Sequence, residues 1–326
     1  MVALAAGPVG LRQGFCVGRV EVLDVVAPKR IIDAHQHVFW SGRDDAGLVA
    51  NMDAHGIDKA VLLTWYTMDA LDEVAYTRSF NPAHAVAGRL HVGLPLADVV
   101  SAGRRFPDRF LLGYAPDPTE PRAADWLAAA VEVHHVRVCG EWKFRLPLDD
   151  PRCIEIFKLC AEAGLPVVFH LEVPYLPQAD TGKMRYHRSW YCGTAGNLAR
   201  ALEACPETIF IGHGPGFWRY ISGDADSDAA EGYPAGRVVE GGRLPALLDG
   251  FPNLFGELSA LSGRNALGRD QAHGREFLLK YHQRLLFGRD CYDGELHALL
   301  QSLDLPEEAT ENVYHRNAER LFRIEP

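Results

Sequence analysis

The chain lacks the long apolar run that a membrane span requires: no stretch approaches about 18 consecutive apolar residues, although 48% of its 326 residues are hydrophobic. Those residues are spread along the chain, the distribution of a protein folded around its own core. A basic leader is missing too. The opening stretch MVALAAGPVGLRQGF is mildly apolar but is interrupted by Gly7, Pro8, Gly10 and Arg12, so no secretion signal is expected. The seven cysteines, at positions 16, 139, 153, 160, 192, 205 and 291, are odd in number and form no Cys-x-x-Cys pair. A disulfide framework is disfavoured, and reduced thiols in the cytoplasm are expected. Positive charge is in deficit, with 33 Lys and Arg against 43 Asp and Glu, a net charge of -10. Such a field repels polyanions, so neither nucleic acid nor a membrane is an expected partner, whereas a small-molecule substrate and a homo-oligomer are compatible with it.

Several catalytic signatures are also missing. No Gly-x-Ser-x-Gly elbow occurs, so a serine hydrolase has no motif behind it. The stretch IGHGPGFW has glycines at 212, 214 and 216, but lacks both the Gly-Lys-Ser/Thr of a phosphate loop and the dinucleotide-binding spacing. Its glycines are expected to free backbone room beside His213.

What the sequence does contain is a repeated strand signal. The runs RIIDAHQH, KAVLLTW, FLLGYAP, VRVCGEWKF, LPVVFHLE, TIFIGHG, NLFGELS and RLLFGRD recur between helical patterns, the alternation of parallel β/α architecture. Eight such runs fit a closed (β/α)8 TIM barrel, whereas a doubly wound sheet more often shows five or six and an early glycine loop. The expected organisation is one barrel domain over 1–326 with extended loops. Residues 1–29 form an N-terminal extension, and about 222–242 a polar, glycine-rich loop too long for an ordinary connector. A helix is predicted from Pro151 to Ala163, with Asp150 as cap, Pro151 in the first turn and Gly164 as terminator. Cys153 and Cys160 share its apolar face with Ile156 and Phe157. A last helix, PEEATENVYHRNAERLF, puts acids first and bases last, matching the helix dipole, and closes the fold.

The chemistry is written at the strand ends. In DAHQH, His35 and His37 are two residues apart on a strand, so both project from one face and converge on one cation. Three later strands end in His170, His213 and Asp290. A lone histidine at a strand end is usually structural, but the ligands and catalytic groups of a barrel enzyme gather at the C-terminal ends of several strands, so the set outweighs its members. Glu141 lies on the fourth predicted strand, with Cys139 and Lys143 expected on the same face. The bland reading makes Glu141 and Lys143 a buried ion pair. Lys183, Arg185, Tyr186, His187 and Arg188 follow the His170 strand, where Arg185 and His187, with Lys143, are candidates to hold a polar or anionic substrate. Glu257 and Ser259 share a face of the seventh strand, weaker candidates that are equally well explained as internal barrel packing.

With these residues in order, the chain resembles the amidohydrolase superfamily, in particular the amidohydrolase-related group of hydrolases, decarboxylases and lactonases. The resemblance spans nearly the whole chain, including MDAHGIDKAVLL, FPDRFLLGYAPDP and ENVYHRNAERLFRI. It implies that His35, His37, His170 and Asp290 bind a divalent metal, zinc above all. His213 is implied as a ligand of a second ion or as an acid, base or substrate holder. Glu141 would be a bridging acid in branches that use glutamate there, and Lys143 a rival bridge in branches that use a carboxylated lysine. Arg289 departs from the pattern, since many relatives carry a small residue before the aspartate.

The expected function is a metal-dependent hydrolase. Water activated by one or two divalent ions, at a pKa lowered towards ~7, attacks a carbonyl-type bond of a small molecule. Asp290 takes the proton and returns it to the leaving group, and the metal or His213 polarises the carbonyl. The alternatives are a lyase, decarboxylating or hydrating a small carboxylic acid, and a non-catalytic barrel that has kept a metal site.

Overall fold

All eight apolar runs form strands of one ring. In the computed structural model, which describes residues 28–67, 74, 76–88, 92–173, 175–177, 184–186, 190–227 and 231–325, these are β1 (Ile32–Gln36), β2 (Lys59–Leu62), β3 (Phe110–Leu112) and β4 (Cys139–Trp142), followed by β5 (Val167–His170), β6 (Phe210–His213), β7 (Leu254–Glu257) and β8 (Leu285–Leu286). Neighbours pair in parallel from β1 to β3 and from β4 to β8. Two contacts close the ring. Gly113 bridges Val138 between β3 and β4, and the Ala34 N–H donates to the Phe287 carbonyl at 2.9 Å between β1 and β8. Helices wrap the outside in the order of a (β/α)8 barrel, among them α1 (Asp45–Ala54), α2 (Leu96–Arg105), α3 (Ala123–His134), α4 (Pro151–Ala163) and α5 (Ala195–Ala204).

Local chemistry explains the boundaries. Helix α4 has the expected limits: the Asp150 side chain accepts from the Arg152 N–H, Pro151 occupies the first turn, and Gly164 ends the helix at φ 64°, a left-handed conformation that costs glycine little. Cys153, Ile156, Phe157 and Cys160 are its buried face. The C-terminal helical stretch runs from Glu307 to Phe322 with a π-helical turn at Asn312–Arg316 in its middle. Ala318, Phe322 and the following Ile324 then pack against the interior of the strands.

Each strand alternates between two cores. Ile32, Ala34, Val61, Leu63, Leu111, Val138, Val168, Ile211, Phe255 and Leu286 fill the barrel interior. Their neighbours Ala60, Leu62, Phe110, Val167, Phe169, Phe210, Leu254 and Leu285 face the helices. Phe217 accounts for one glycine of IGHGPGFW: a Cβ on Gly212 would overlap its ring. Gly214, at φ 92°, leaves room beside the Leu171 carbonyl and His170, which a Cβ would approach at 2.8 and 3.1 Å. Between Ser222 and Gly242 the described residues form turns, pinned where the Gly223 N–H donates to the Val239 carbonyl at 2.8 Å and the Val239 N–H to Ser222 Oγ at 2.9 Å.

Candidate metal centre

One step beyond the apolar interior the same strands turn polar. Val168 is followed on the inner face by His170, Ile211 by His213 and Phe255 by Glu257, while the loop after Leu286 brings in Asp290. The other two strands reach the centre irregularly. Register shifts occur in β1 between Asp33 and Gln36 and in β4 between Cys139 and Trp142. Such irregularities reset which face a residue occupies and are frequent beside active sites. Cys139 therefore does not share a face with Glu141, as strict alternation predicts. It packs in the layer between strands and helices with Cys153 and Cys160, and Trp142 lies in that layer too.

His35 and His37 do converge, with their Nε2 atoms 3.3 Å apart. The His37 ring donates from Nδ1 to the Leu63 carbonyl at 2.9 Å, which leaves Nε2 for the centre. Asp290 Oδ1 lies 3.7 Å from His35 Nε2 and 3.5 Å from His37 Nε2, and its Oδ2 lies 3.8 Å from His213 Nε2. Asp290 has φ 52°, a left-handed value uncommon outside glycine, and its N–H is held by the His35 carbonyl at 2.9 Å. Glu141 Oε1 sits 2.8 Å from His170 Nδ1 and 4.0 Å from His213 Nε2, and Oε2 is 3.5 Å from His37 Nε2. Three sets of donor atoms, each within 4.8 Å, have the composition to hold a cation: His35, His213 and Asp290; His35, His37 and Glu141; and Glu141, His170 and His213.

Electrostatics fits such a cation. Burial favours the neutral form of His35, yet the carboxylates of Asp290 and Glu257 outweigh it and push its pKa up to about 10. Burial likewise opposes the charge on Glu141, but Lys143, His170 and His37 hold its carboxyl well below the usual range. Acids thus draw positive charge onto His35 and His170, whose pKa values are raised, whereas burial and the neighbouring His35 lower that of His213. A divalent ion would supply that charge in place of protons, and imidazole nitrogen with carboxylate oxygen is a donor set suited to zinc.

Lys143 is buried beside this group, its ammonium 4.0 Å from the centre of the Trp65 ring and 5.3 Å from those of Tyr76 and Tyr191. Burial disfavours the charged amine, but Tyr76 and Glu141 raise its pKa overall. Trp40, Trp65, Tyr76 and Phe80 continue this aromatic wall, ring to ring at 4.4 to 6.0 Å, and Trp40 reaches the His37 ring at 5.9 Å. Arg185 falls on a short antiparallel ribbon, Tyr175–Pro177 with Met184–Tyr186, whereas Lys183, His187 and Arg188 lie outside the described residues. Arg289 is neutralised: its Nε donates to Asp33 at 2.8 Å and its Nη1 to Asn51 at 2.9 Å.

Three further residues touch the ligands: Glu172, which the sequence reading did not single out, and Glu257 and Ser259, which it left between site and packing. Glu172 directly follows the β5 histidine by two residues, and its Oε2 lies 3.2 Å from His170 Nε2. The spacing His-x-Glu, running from the end of β5 into the loop after it, was the available signal. Glu257 meets His35 Nδ1 at 3.1 Å and also contacts His213 Nδ1. Ser259 Oγ, the third member, lies 2.9 Å from His213 Nδ1.

Fold and site together define a (β/α)8 barrel with a histidine and carboxylate centre at the C-terminal ends of its strands. Residues 32–324 match the amidohydrolase family model, and the chain belongs to that family. No curated protein matches it. Among solved structures it is similar to an uncharacterized TIM-barrel protein from Bordetella bronchiseptica, at 16% identity and a TM-score of 0.58 over 90% of this chain and 99% of the other. A candidate 2-pyrone-4,6-dicarboxylic acid hydrolase from Pseudomonas putida shares 16% identity and a TM-score of 0.58 over 91% and 98%. A dihydroxybenzoic acid decarboxylase from a Polaromonas species, solved with manganese and 2-nitroresorcinol, shares 15% at 0.51 over 90% and 97%. At these identities the likeness is one of fold. No helix among the described residues is long and apolar enough to cross a membrane.

Proposed function

We propose that the protein is a metal-dependent hydrolase that activates water for attack on an amide, lactone or ester carbonyl of a small molecule. The observation that carries this reading is Glu141, a buried strand-four carboxylate facing His37, His170 and His213 and common to two of the three candidate ligand groups. A shared acid of this kind suits a centre built for water activation. His35, His37, His170 and Asp290 would hold the first ion, with Glu141 and His213 extending the site to a second. A divalent ion bound there supplies Lewis acidity, which makes water acidic enough to attack at neutral pH.

The chain's own groups do the rest. Asp290 has 23% of its side chain exposed, against 2% for Glu141 and 0% for Glu257, so it is the acid of the three best open to incoming substrate. It takes the proton of the attacking water and returns it to the leaving group. His213 orients the carbonyl, while Lys143 and the aromatic wall receive an anionic, flat portion of the substrate, with Arg185 and His187 as further contacts. Zinc suits the donors, and the manganese of the Polaromonas relative makes that ion its first rival. The same reading takes the chain as one barrel domain with an extension at 1–29 and a loop at 222–242, working in the cytoplasm, where the free thiols Cys139, Cys153, Cys160, Cys192, Cys205 and Cys291 stay reduced.

A second reading, a decarboxylase of aromatic acids, draws on Lys143: a buried ammonium among aromatic rings suits a carboxylated ring as well as it suits a lactone acid. The test is to strip the protein with chelator, reload it with zinc or manganese, and assay lactones, esters and amides beside carboxylated aromatics. Ring opening or acyl cleavage without bicarbonate supports the hydrolase, and bicarbonate release alone supports the lyase. Full turnover after rigorous chelation defeats both.

A further inference from the structure

A single carboxylate stands behind two imidazoles of the centre. Glu257, at the end of β7, is fully buried. Its Oε1 meets His35 Nδ1 at 3.1 Å and Ser259 Oγ at 2.8 Å, and also contacts His213 Nδ1; its Oε2 accepts from the Ser259 N–H at 2.8 Å. We infer that Glu257 is a positioning residue that fixes His35 and His213 together with Nε2 turned inward, and so sets how tightly these two ligands of the centre hold divalent ions. The inference rests on the metal reading above.

The hydrogen-bond inventory carries the argument. An ionised carboxylate only accepts, and the Ser259 hydroxyl gives its hydrogen to Glu257 Oε1, so Nδ1 of His35 faces one acceptor and Nδ1 of His213 faces two, Glu257 Oε1 and Ser259 Oγ at 2.9 Å; each ring then carries its hydrogen on Nδ1 and presents the lone pair of Nε2 to the centre. Outer carboxylates commonly orient one metal-binding histidine; here one acid orients two, from strands β1 and β6. The surroundings are shaped for it. A Cβ on Gly288 would stand 2.7 Å from Glu257 Oε2 and 3.2 Å from the Ser259 Cβ, so a larger residue at 288 would press on both. The backbone of Glu257 is tied as well, its carbonyl accepting from Trp218 Nε1 at 2.9 Å.

Glutamine cannot replace this acid without conflict. With its oxygen on the imidazole side, its amide group meets the Ser259 N–H, donor against donor. Flipped, the amide donates to the rings and drives them to carry hydrogen on Nε2, pointing it into the cation site. Both arrangements weaken ion binding through two ligands at once.

The experiment uses the full chain, stripped by chelator and titrated with zinc against a chromophoric competitor. It also records long-range proton–nitrogen NMR spectra of zinc-loaded protein labelled at histidine. The unaltered protein should show His35 and His213 as Nδ1–H rings. Glu257→Gln should bind zinc about 10- to 100-fold more weakly while its metal-free form still melts cooperatively. Glu257→Asp keeps the charge but withdraws it by one methylene, and should lose at least about tenfold. Wild-type zinc affinity in Glu257→Gln, or in Glu257→Asp where the glutamine variant does not fold, overturns the inference, as does an Nε2–H ring at either position in the unaltered protein. An unaltered protein that binds no zinc overturns the metal reading and the inference with it.

Discussion

The barrel has two interiors, one above the other. The lower layer, with Val61, Leu63, Val168, Ile211, Phe255 and Leu286, is apolar and buried. The upper layer, reached two residues further along β5, β6 and β7, is titratable: His170, His213 and Glu257. Each large apolar side chain below contributes roughly 1.5–3 kcal/mol by leaving water. Each polar group above costs free energy unless a partner meets it, and the partners are one another. Stability is thus concentrated below and chemical potential above, and the close-packed lower layer fixes the strand ends on which the ligands ride.

The most forceful way to break this comparison is to put a charge in the lower layer. Ile211→Asp would bury a carboxylate among Val168, Phe255 and their neighbours with no donor provided for it. A loss of about 4 kcal/mol or more is expected, a large part of the roughly 5–15 kcal/mol that holds a typical domain together. A urea denaturation midpoint equal to that of the unaltered chain would show that the lower layer is not a stability layer. The upper-layer counterpart is Asp290→Asn. Turnover should fall about 10²- to 10⁴-fold with the melting midpoint little changed, and metal content must be measured on the same samples. Full activity in a metal-replete variant would remove Asp290 as the base. Next in size is Glu141→Gln, for which metal analysis should show the loss of about one bound ion per chain, as expected when a bridging acid of a two-metal site is removed. Unchanged stoichiometry with unchanged activity would end the bridging role.

The two layers differed in how far they could be read beforehand. The lower one was legible because apolar runs of strand length are a direct record of burial: all eight runs became strands, and α4 has its predicted ends because Asp150, Pro151 and Gly164 act locally. Of the upper layer, the set His35, His37, His170, His213 and Asp290 was legible from recurrence at strand ends. Its geometry was not. The inner or outer face of a residue was counted by strict alternation, and the register shifts in β1 and β4 break that count, so Cys139 was assigned to the wrong face. The aromatic wall brings together Trp40, Trp65, the nearby pair Tyr76 and Phe80, and Tyr191 from segments far apart in sequence, and no local pattern records that they meet. Glu257 was equally readable as a site candidate and as barrel packing, because a buried acid declares its role only through the donors that reach it.

A last test asks whether pH acts on the upper layer alone. In metal-free protein the carboxylates of Asp290 and Glu257 overcome burial and push His35 up to about 10, from an ordinary value of about 6.5. A raised pKa in the folded state means that folding favours the bound proton. The stabilisation is fully present below about 6.5, declines as the pH rises above that, and is exhausted once it passes about 10. Melting of the metal-free chain should therefore shift downward between neutral and alkaline pH. Saturating zinc should flatten that slope, because an ion seated on His35 takes the place of the proton. A metal-free melting temperature that stays level across this range would mean that His35 is neutral in the folded chain, and that the acids around it are balanced by some charge other than its own.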